Sequence, residues 1–101
     1  MATGGMRGET DAKIKEWERE LERVRLALAR APDSVYDRYH PTFTEVYRVK
    51  EILKSRWEAV RGVYQAEPPA LERFQEALKS MQAAWTAAQP MFVEVLKSPA
   101  A

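Results

Sequence analysis

The sequence has 101 residues, the usual size of one folded domain, of which 46% are hydrophobic and 31% are charged. This composition excludes a disordered chain, and no run approaches the roughly 18 apolar residues that cross a bilayer. The formal net charge is only +1, and the two signs alternate along the chain. We therefore expect a water-soluble protein without the one-signed surface that nucleic acids select.

Residues 1–9 contain three glycines and no apolar run, so they lack the hydrophobic centre of a signal peptide. We predict a disordered leader over residues 1–9, a single helical domain over 10–97 and a disordered tail over 98–101. The expected compartment is the cytoplasm. The absence of cysteine excludes disulfides and every Cys-based zinc site.

The first predicted helix covers residues 10–31. Thr10 is a favourable N-cap residue, and the carboxylate of Asp11 suits the positive end of the helix dipole. Pro32 ends the helix because its ring cannot continue the hydrogen-bond ladder. Apolar residues recur at alternating spacings of three and four, which predicts one buried stripe: Ile14, Trp17, Leu21, Val24, Leu28 and Ala31.

The second predicted helix covers residues 41–66 and begins at Pro41, since proline is well tolerated at a first helical position. Whether residues 33–40 form a separate short helix or the start of this one stays open. Its apolar arc is wide, roughly half the circumference, so the helix should contact two neighbours. The arc combines one face with an adjoining shoulder: Tyr39, Phe43, Val46, Leu53, Trp57, Val60 and Tyr64, then Val49, Ile52 and Val63.

The third predicted helix covers residues 69–97, after a reversal at Pro68 and Pro69, and Pro90 predicts a kink or break near residue 90. Short connections favour antiparallel neighbours, so the predicted fold is an all-α, up-down-up antiparallel three-helix bundle. Its coiled-coil-like seams could also support self-association. The seam of the third helix is a repeat of apolar residues: Leu71, Phe74, Leu78, Met81, Trp85, Ala88, Phe92 and Val95.

Catalytic and metal chemistry find little support in the sequence. His40 is the single histidine, and only Asp37 and Glu45 are near it, too few for a zinc site. The acids alternate with Lys and Arg, and no glycine-rich phosphate loop follows a strand. We therefore predict no enzymatic activity, no cofactor and no metal.

Each predicted helix carries one tryptophan on its inner face, and we interpret Trp17, Trp57 and Trp85 as core anchors. Tyr36 and Tyr47 fall off the core face of the second helix, and tyrosine is enriched in protein interfaces. After Pro90, apolar residues point in nearly every direction, more than one bundle stripe can cover. The predicted interaction surface therefore comprises Tyr36, Tyr47, Met91, Phe92, Val93 and Leu96.

The resulting functional prediction is a non-enzymatic module for protein–protein contact, either self-associating as a homodimer or acting as a small adaptor or scaffold. The alternative is a nucleic-acid-binding or regulatory helical domain. Its contact residues would be the basic side chains of the second helix, although these scatter around the helix: Arg48, Lys50, Lys54, Arg56 and Arg61.

Overall fold

In the computed structural model the chain forms three α-helices, α1 (Ala2–Arg30), α2 (Asp33–Arg61) and α3 (Pro68–Lys97). The structure describes residues 2–63 and 65–97, with side chains from residue 8 onward. Within these ranges no strand occurs, which confirms the all-α prediction. The predicted tail over 98–101 and Tyr64 lie outside the described residues.

Contacts near the helix ends fix the topology of the bundle. The indole Nε1 of Trp57, near the end of α2, donates a hydrogen bond of 2.7 Å to Asp11, near the start of α1. The hydroxyl of Thr42, early in α2, lies 3.4 Å from the sulfur of Met91, late in α3. Each consecutive pair of helices is therefore antiparallel, and the up-down-up arrangement is confirmed.

The three helices enclose one hydrophobic core, because each contributes a stripe at helical spacing. The stripe of α1 is the predicted one, apart from Ala31, which is only partly buried. That of α3 is rotated relative to the prediction, so that Leu78 and Trp85 lie at its edge and Leu71 is exposed. The buried residues of α2 and α3 are Phe43, Val46, Lys50, Leu53, Trp57 and Val60, then Phe74, Ala77, Met81, Ala88, Phe92 and Val95.

The start of α1 differs from the prediction. The helix begins at Ala2, so residues 2–9 of the expected disordered leader are helical and Thr10 lies inside the helix. No proline interrupts these residues, and each residue added to an existing helix gains one backbone hydrogen bond. The capping residue was therefore an insufficient signal for the helix start.

The bounds of α2 also differ from the predicted 41–66. The carbonyl of Pro32 accepts hydrogen bonds of 3.0 Å from the amides of Val35 and Tyr36, which starts the helix at Asp33. Pro41 consequently lies inside the helix, where it removes one amide donor without ending it. The helix stops at Arg61 because Gly62, with its low helix propensity, follows it.

The start of α3 agrees with the predicted reversal to within one residue. The carbonyl of Glu67 accepts hydrogen bonds from the amides of Ala70 and Leu71, while Pro68 and Pro69 occupy first-turn positions that need no donor. The helix then runs through Pro90 to Lys97, so of the two predicted alternatives near residue 90 a break is wrong, and a kink stays a prediction. Burial of Phe92 and Val95 beyond the proline holds the last turns on the bundle.

Candidate functional site

Four aromatic rings follow one another along the first half of α2. The rings of Tyr36 and His40 stack with centroids 4.5 Å apart, and Phe43 lies 6.4 Å from His40 and 5.9 Å from Tyr47. Spacings of three and four residues place them on one side of the helix. Tyr36 and Tyr47 are exposed, and Phe43 is buried. We call these four residues the aromatic ladder.

Helices α1 and α2 leave a cavity of about 280 Å³ beside the aromatic ladder, which we call the ladder cavity. Its polar groups are the Arg25 guanidinium, the His40 imidazole and the Tyr36 hydroxyl, and no carboxylate belongs to its described lining. The cavity is therefore aromatic and apolar, with nitrogen-bearing side chains at its wall. Its lining residues are Arg25, Leu28, Ala29, Tyr36, His40 and Phe43.

Arg25 is held on the surface of α1 by Glu22, one turn earlier. Its Nε donates a hydrogen bond of 2.9 Å to Glu22 Oε2, and its Nη2 donates a second to Oε1. These hydrogen bonds lower the pKa of Glu22 and raise the pKa of Arg25. Both side chains are 54% exposed, so the pair adds little to stability. It orients the guanidinium and leaves the donors of Nη1 outside the pair.

A buried cation links α1 to α2 next to the aromatic ladder. Lys50 is only 3% exposed, and its ammonium lies 2.7 Å from Glu51 Oε1, 3.6 Å from Glu18 Oε2 and 4.2 Å from the centroid of the Tyr47 ring. Lys54 donates a 3.0 Å hydrogen bond to the same Glu18 oxygen. The hydrogen bond from Lys50 lowers the pKa of Glu51, and Glu18 raises that of Lys54. The sequence pattern did not predict this network, although Lys50 falls on the core face of α2.

The basic residues of α2 form no open stripe for a nucleic acid. Arg48 is paired with Glu45, and the other pairs reach across to α1, at 3.0 Å from Lys54 to Glu18 and 3.5 Å from Arg61 to Asp11. Together with buried Lys50, four of the five candidate residues are thus neutralised by carboxylates. Arg56 is the remaining exposed member of the set.

One face of α3 carries no charged residue over its whole length. We call it the α3 seam. Ala84, Ala87 and Met91 line a groove with α2, so the seam, on the other side of the core stripe, faces α1. The contact between α1 and α3 is the least extensive of the three helix pairs. Its members alternate apolar side chains with glutamine at spacings of three or four: Leu71, Gln75, Leu78, Gln82, Trp85, Gln89, Val93 and Leu96.

The predicted interaction residues lie on different sides of the bundle. Tyr36 and Tyr47 are exposed on the α1 edge of α2, and Met91 is exposed on the opposite edge, against Thr42. Val93 is exposed on the α3 seam, and Leu96 is half-buried there. Phe92 is 3% exposed and belongs to the core, so its predicted place on the surface is wrong. Its spacing from Ala88 and Val95 puts it on the inner stripe.

The three tryptophans have different environments. Trp17 and Trp57 are 2% and 7% exposed, whereas Trp85 is half-buried at the edge of the core, with its ring 5.6 Å from that of Phe92. Trp57 contacts both flanking helices through its hydrogen bond to Asp11 and a ring distance of 5.0 Å to Phe74. The indole N–H of Trp17 has no hydrogen-bond partner among the residues that the structure describes.

Neither a metal centre nor a membrane span emerges from the described residues. No group of three or more His, Asp or Glu side chains among them is placed to hold a metal ion. None of the three helices, over the part of the chain that was searched, is long and apolar enough to cross a membrane. Compared with protein-family models, with curated proteins and with solved structures, the chain matches none.

Proposed function

We propose that this protein is a non-enzymatic helical interaction module of the cytoplasm that associates with a second copy of itself, most simply as a homodimer. The observation that supports the proposal is the α3 seam. In a chain of which 31% is charged, this face runs for seven turns without a charge. Leu71 and Val93 are 40% and 39% exposed near its two ends.

An exposed helix face without charges is unusual. Solvent-facing helix surfaces usually carry charged residues, as the outer face of α1 does with its Glu–Arg pairs at spacing three. A long uncharged face that is left half-exposed is typical of a surface that meets another protein. Burying its apolar atoms would contribute about 25 cal/mol per Å² removed from water.

The dimensions of the face suit a dimer. From Leu71 to Leu96 the seam extends about 38 Å at about 1.5 Å per residue, and the bundle is 22 Å across. Including the adjoining edge of α1, a contact of this size would cover about 800 Å² on each partner, the area of a standard stable interface. A two-fold contact lets one such face serve both copies, and an uncharged seam meets itself without repulsion between like charges.

The test compares charged variants at exposed seam positions with a matched control. Multi-angle light scattering should give the parent a mass of twice 11.6 kDa as the concentration rises through about a hundredfold range. Val93→Glu and Leu71→Glu should stay monomeric, because two-fold pairing would bury the new carboxylate unpaired. Ile52→Glu, at a position equally exposed on α2, should dimerise as the parent does.

These point variants are preferable to a shortened chain, because Phe92 and Val95 are core residues and truncation before them would unfold the bundle. A circular-dichroism melt of each variant verifies that the fold is retained. A parent protein that remains monomeric at every concentration would contradict self-association. Loss of dimerisation in Ile52→Glu but not in Val93→Glu would place the contact on α2 and contradict a dimer formed through the α3 seam.

A further inference from the structure

We propose that the ladder cavity binds one aromatic side chain from an acidic segment of a partner protein. It shares no residue with the α3 seam. The inference therefore goes beyond self-association: a dimer formed through the seam would present two such cavities. A single module would then hold itself together through one surface and recruit a partner through another.

The size of the cavity limits its occupant. At about 280 Å³ it falls just below the range of about 300–1,000 Å³ that holds cofactors and drug-sized ligands. One aromatic side chain fits such a space. Ala29 is the smallest lining residue, so its side chain takes little of this space.

The walls of the cavity favour a flat ring over an aliphatic chain. Tyr36 and His40 are stacked at an interplanar angle of 18°, and the ring of Phe43 is tilted by 30° from that of His40. Aromatic pairs at such distances contribute about 0.5–1.5 kcal/mol beyond the area they bury. Tyrosine is also among the residue types enriched at energetically important interface positions, and Tyr36 is exposed at the rim.

Hydrogen-bond donors at the rim favour an acidic partner, although Arg25 and Glu22 together carry no net charge. Glu22 engages Nε and Nη2 of Arg25, which leaves the Nη1 donors of a fixed guanidinium for a second carboxylate. The described lining offers no acceptor carboxylate that would attract a basic segment. A larger groove of about 390 Å³ between α2 and α3 is lined by neither an aromatic ring nor an arginine, so it lacks the features that favour an aromatic, acidic occupant.

The experiment uses two short peptides of opposite charge with the same central ring, acetyl-DWD-amide and acetyl-KWK-amide. Titration into ¹⁵N-labelled protein, followed by NMR, should shift the amides of Ala29, Tyr36 and His40 saturably. The acidic peptide should bind about fivefold more tightly, the effect of one ion pair at contact distance in water. Binding of the two peptides with equal affinity, or shifts centred away from the ladder cavity, would overturn the proposal.

Two variants and a matched control locate the interaction. Ala29→Leu keeps a good helix former but fills the cavity, and should abolish the saturable shifts. Arg25→Gln should lose the preference for the acidic peptide, because it removes the Nη1 donors and leaves Glu22 without its cation. Arg48→Gln removes an arginine with the same exposed pairing to a glutamate three residues earlier, but outside the cavity, and should retain the preference. Binding that survives Ala29→Leu unchanged would refute the assignment.

The outcome is separable from that of the proposed self-association. Val93→Glu lies outside the cavity, so it should bind the acidic peptide with the affinity of the parent while failing to dimerise. A parent protein that is monomeric yet selects the acidic peptide would remove the proposed dimer and keep the recruitment site. A parent protein that dimerises but binds neither peptide would keep the proposed dimer and remove the recruitment site.

Discussion

Trp17 and Trp57 are equivalent in burial but differ in what their indole N–H groups do. Trp57 donates to Asp11 across the α1–α2 interface, whereas the Trp17 donor is buried without a partner in the described part of the chain. A buried donor with no acceptor costs about 1–3 kcal/mol, and a hydrogen bond to a charged acceptor contributes a comparable amount. The two side chains therefore contribute to stability by different means.

Replacing each tryptophan by phenylalanine separates these contributions. Both changes remove apolar area, but only Trp57→Phe loses a hydrogen bond, while Trp17→Phe removes an unsatisfied donor. We expect Trp57→Phe to lower the free energy of unfolding by about 2 kcal/mol more than Trp17→Phe, measured by urea denaturation. Trp57→Ala, which also loses the ring, should cost about 3–5 kcal/mol.

A double-mutant cycle with Asp11→Ala provides the control. In the Asp11→Ala background, the difference between the two phenylalanine variants should shrink, because Trp57 no longer has its acceptor. Equal losses for Trp17→Phe and Trp57→Phe in the parent would show that the Trp57 hydrogen bond contributes no net stability.

Among the elements, α2 and α3 each retain an internal proline, and that of α3 is Pro90. Pro90 has no N–H, so the carbonyl of Thr86 lacks its helical donor, and proline is about 3 kcal/mol less favourable than alanine inside a helix. Pro90 is exposed, so Pro90→Ala loses no core contact. After allowance for the greater entropy of the unfolded chain, we expect Pro90→Ala to raise the free energy of unfolding by about 1–2 kcal/mol.

Pro69→Ala is the matched control for this prediction. Pro69 lies in the first turn of α3, where the missing donor would have no helical acceptor, so the gain seen for Pro90→Ala should be absent. Chemical denaturation of both variants measures the difference. A destabilised Pro90→Ala protein would mean that the proline sets a bend that Phe92 and Val95 need to reach the core.

The α1–α2 pair depends on the charges around buried Lys50. Glu18→Gln removes the carboxylate that Lys50 and Lys54 share, while Glu51 still faces Lys50. We expect a loss of about 1–2 kcal/mol in the free energy of unfolding, less than for a fully uncompensated buried charge. Glu16→Gln, which breaks only an exposed pair with Lys13, should change stability by less than about 0.5 kcal/mol.

The same network predicts a pH dependence. Since the hydrogen bond from Lys50 lowers the pKa of Glu51 in the folded protein, its stabilisation is fully present above the pKa of the unfolded chain. It is lost as the pH falls through the lower, folded value. Melting temperatures measured from neutral to acidic pH should therefore converge for the parent and Glu51→Gln. If the difference in melting temperature between the two proteins stayed constant down to acidic pH, the ionised Glu51 carboxylate would not contribute to stability.

At the scale of the whole molecule, the antiparallel arrangement of α2 and α3 can be measured in solution. Trp57 and Phe74 are neighbours, which places Ser55 and Ser80 within about two helical turns along adjacent helices. Nitroxide labels on these two exposed serines should lie about 15–25 Å apart, given helix separations of about 8–10 Å. Electron paramagnetic resonance on labelled protein diluted into unlabelled protein isolates the distance within one chain. A separation beyond about 40 Å would indicate that α3 packs on a second copy.

Local chemistry determined the three helices and most of the core. Apolar spacing identified the buried stripe of α1, and Pro68–Pro69 marked the start of α3 to within one residue, because proline acts through its own ring and missing donor. Helix ends without such a constraint were less predictable. Thr10 and Pro41 both lie inside helices that begin before them, because one favourable cap does not fix a helix start and one lost hydrogen bond does not end a helix.

Only the tertiary structure decided which side of each stripe faces inward and what surrounds it. Periodicity defines a face only to within one neighbouring row, so of the seam predicted for the third helix Trp85 lies at the edge of the core and Leu71 is exposed. The burial of Lys50 required Glu18 from another helix, which no spacing within α2 could reveal. The ladder cavity likewise exists because α1 and α2 meet at a particular distance and rotation. Such features depend on how helices pack together, and a one-dimensional pattern contains no information on that separation.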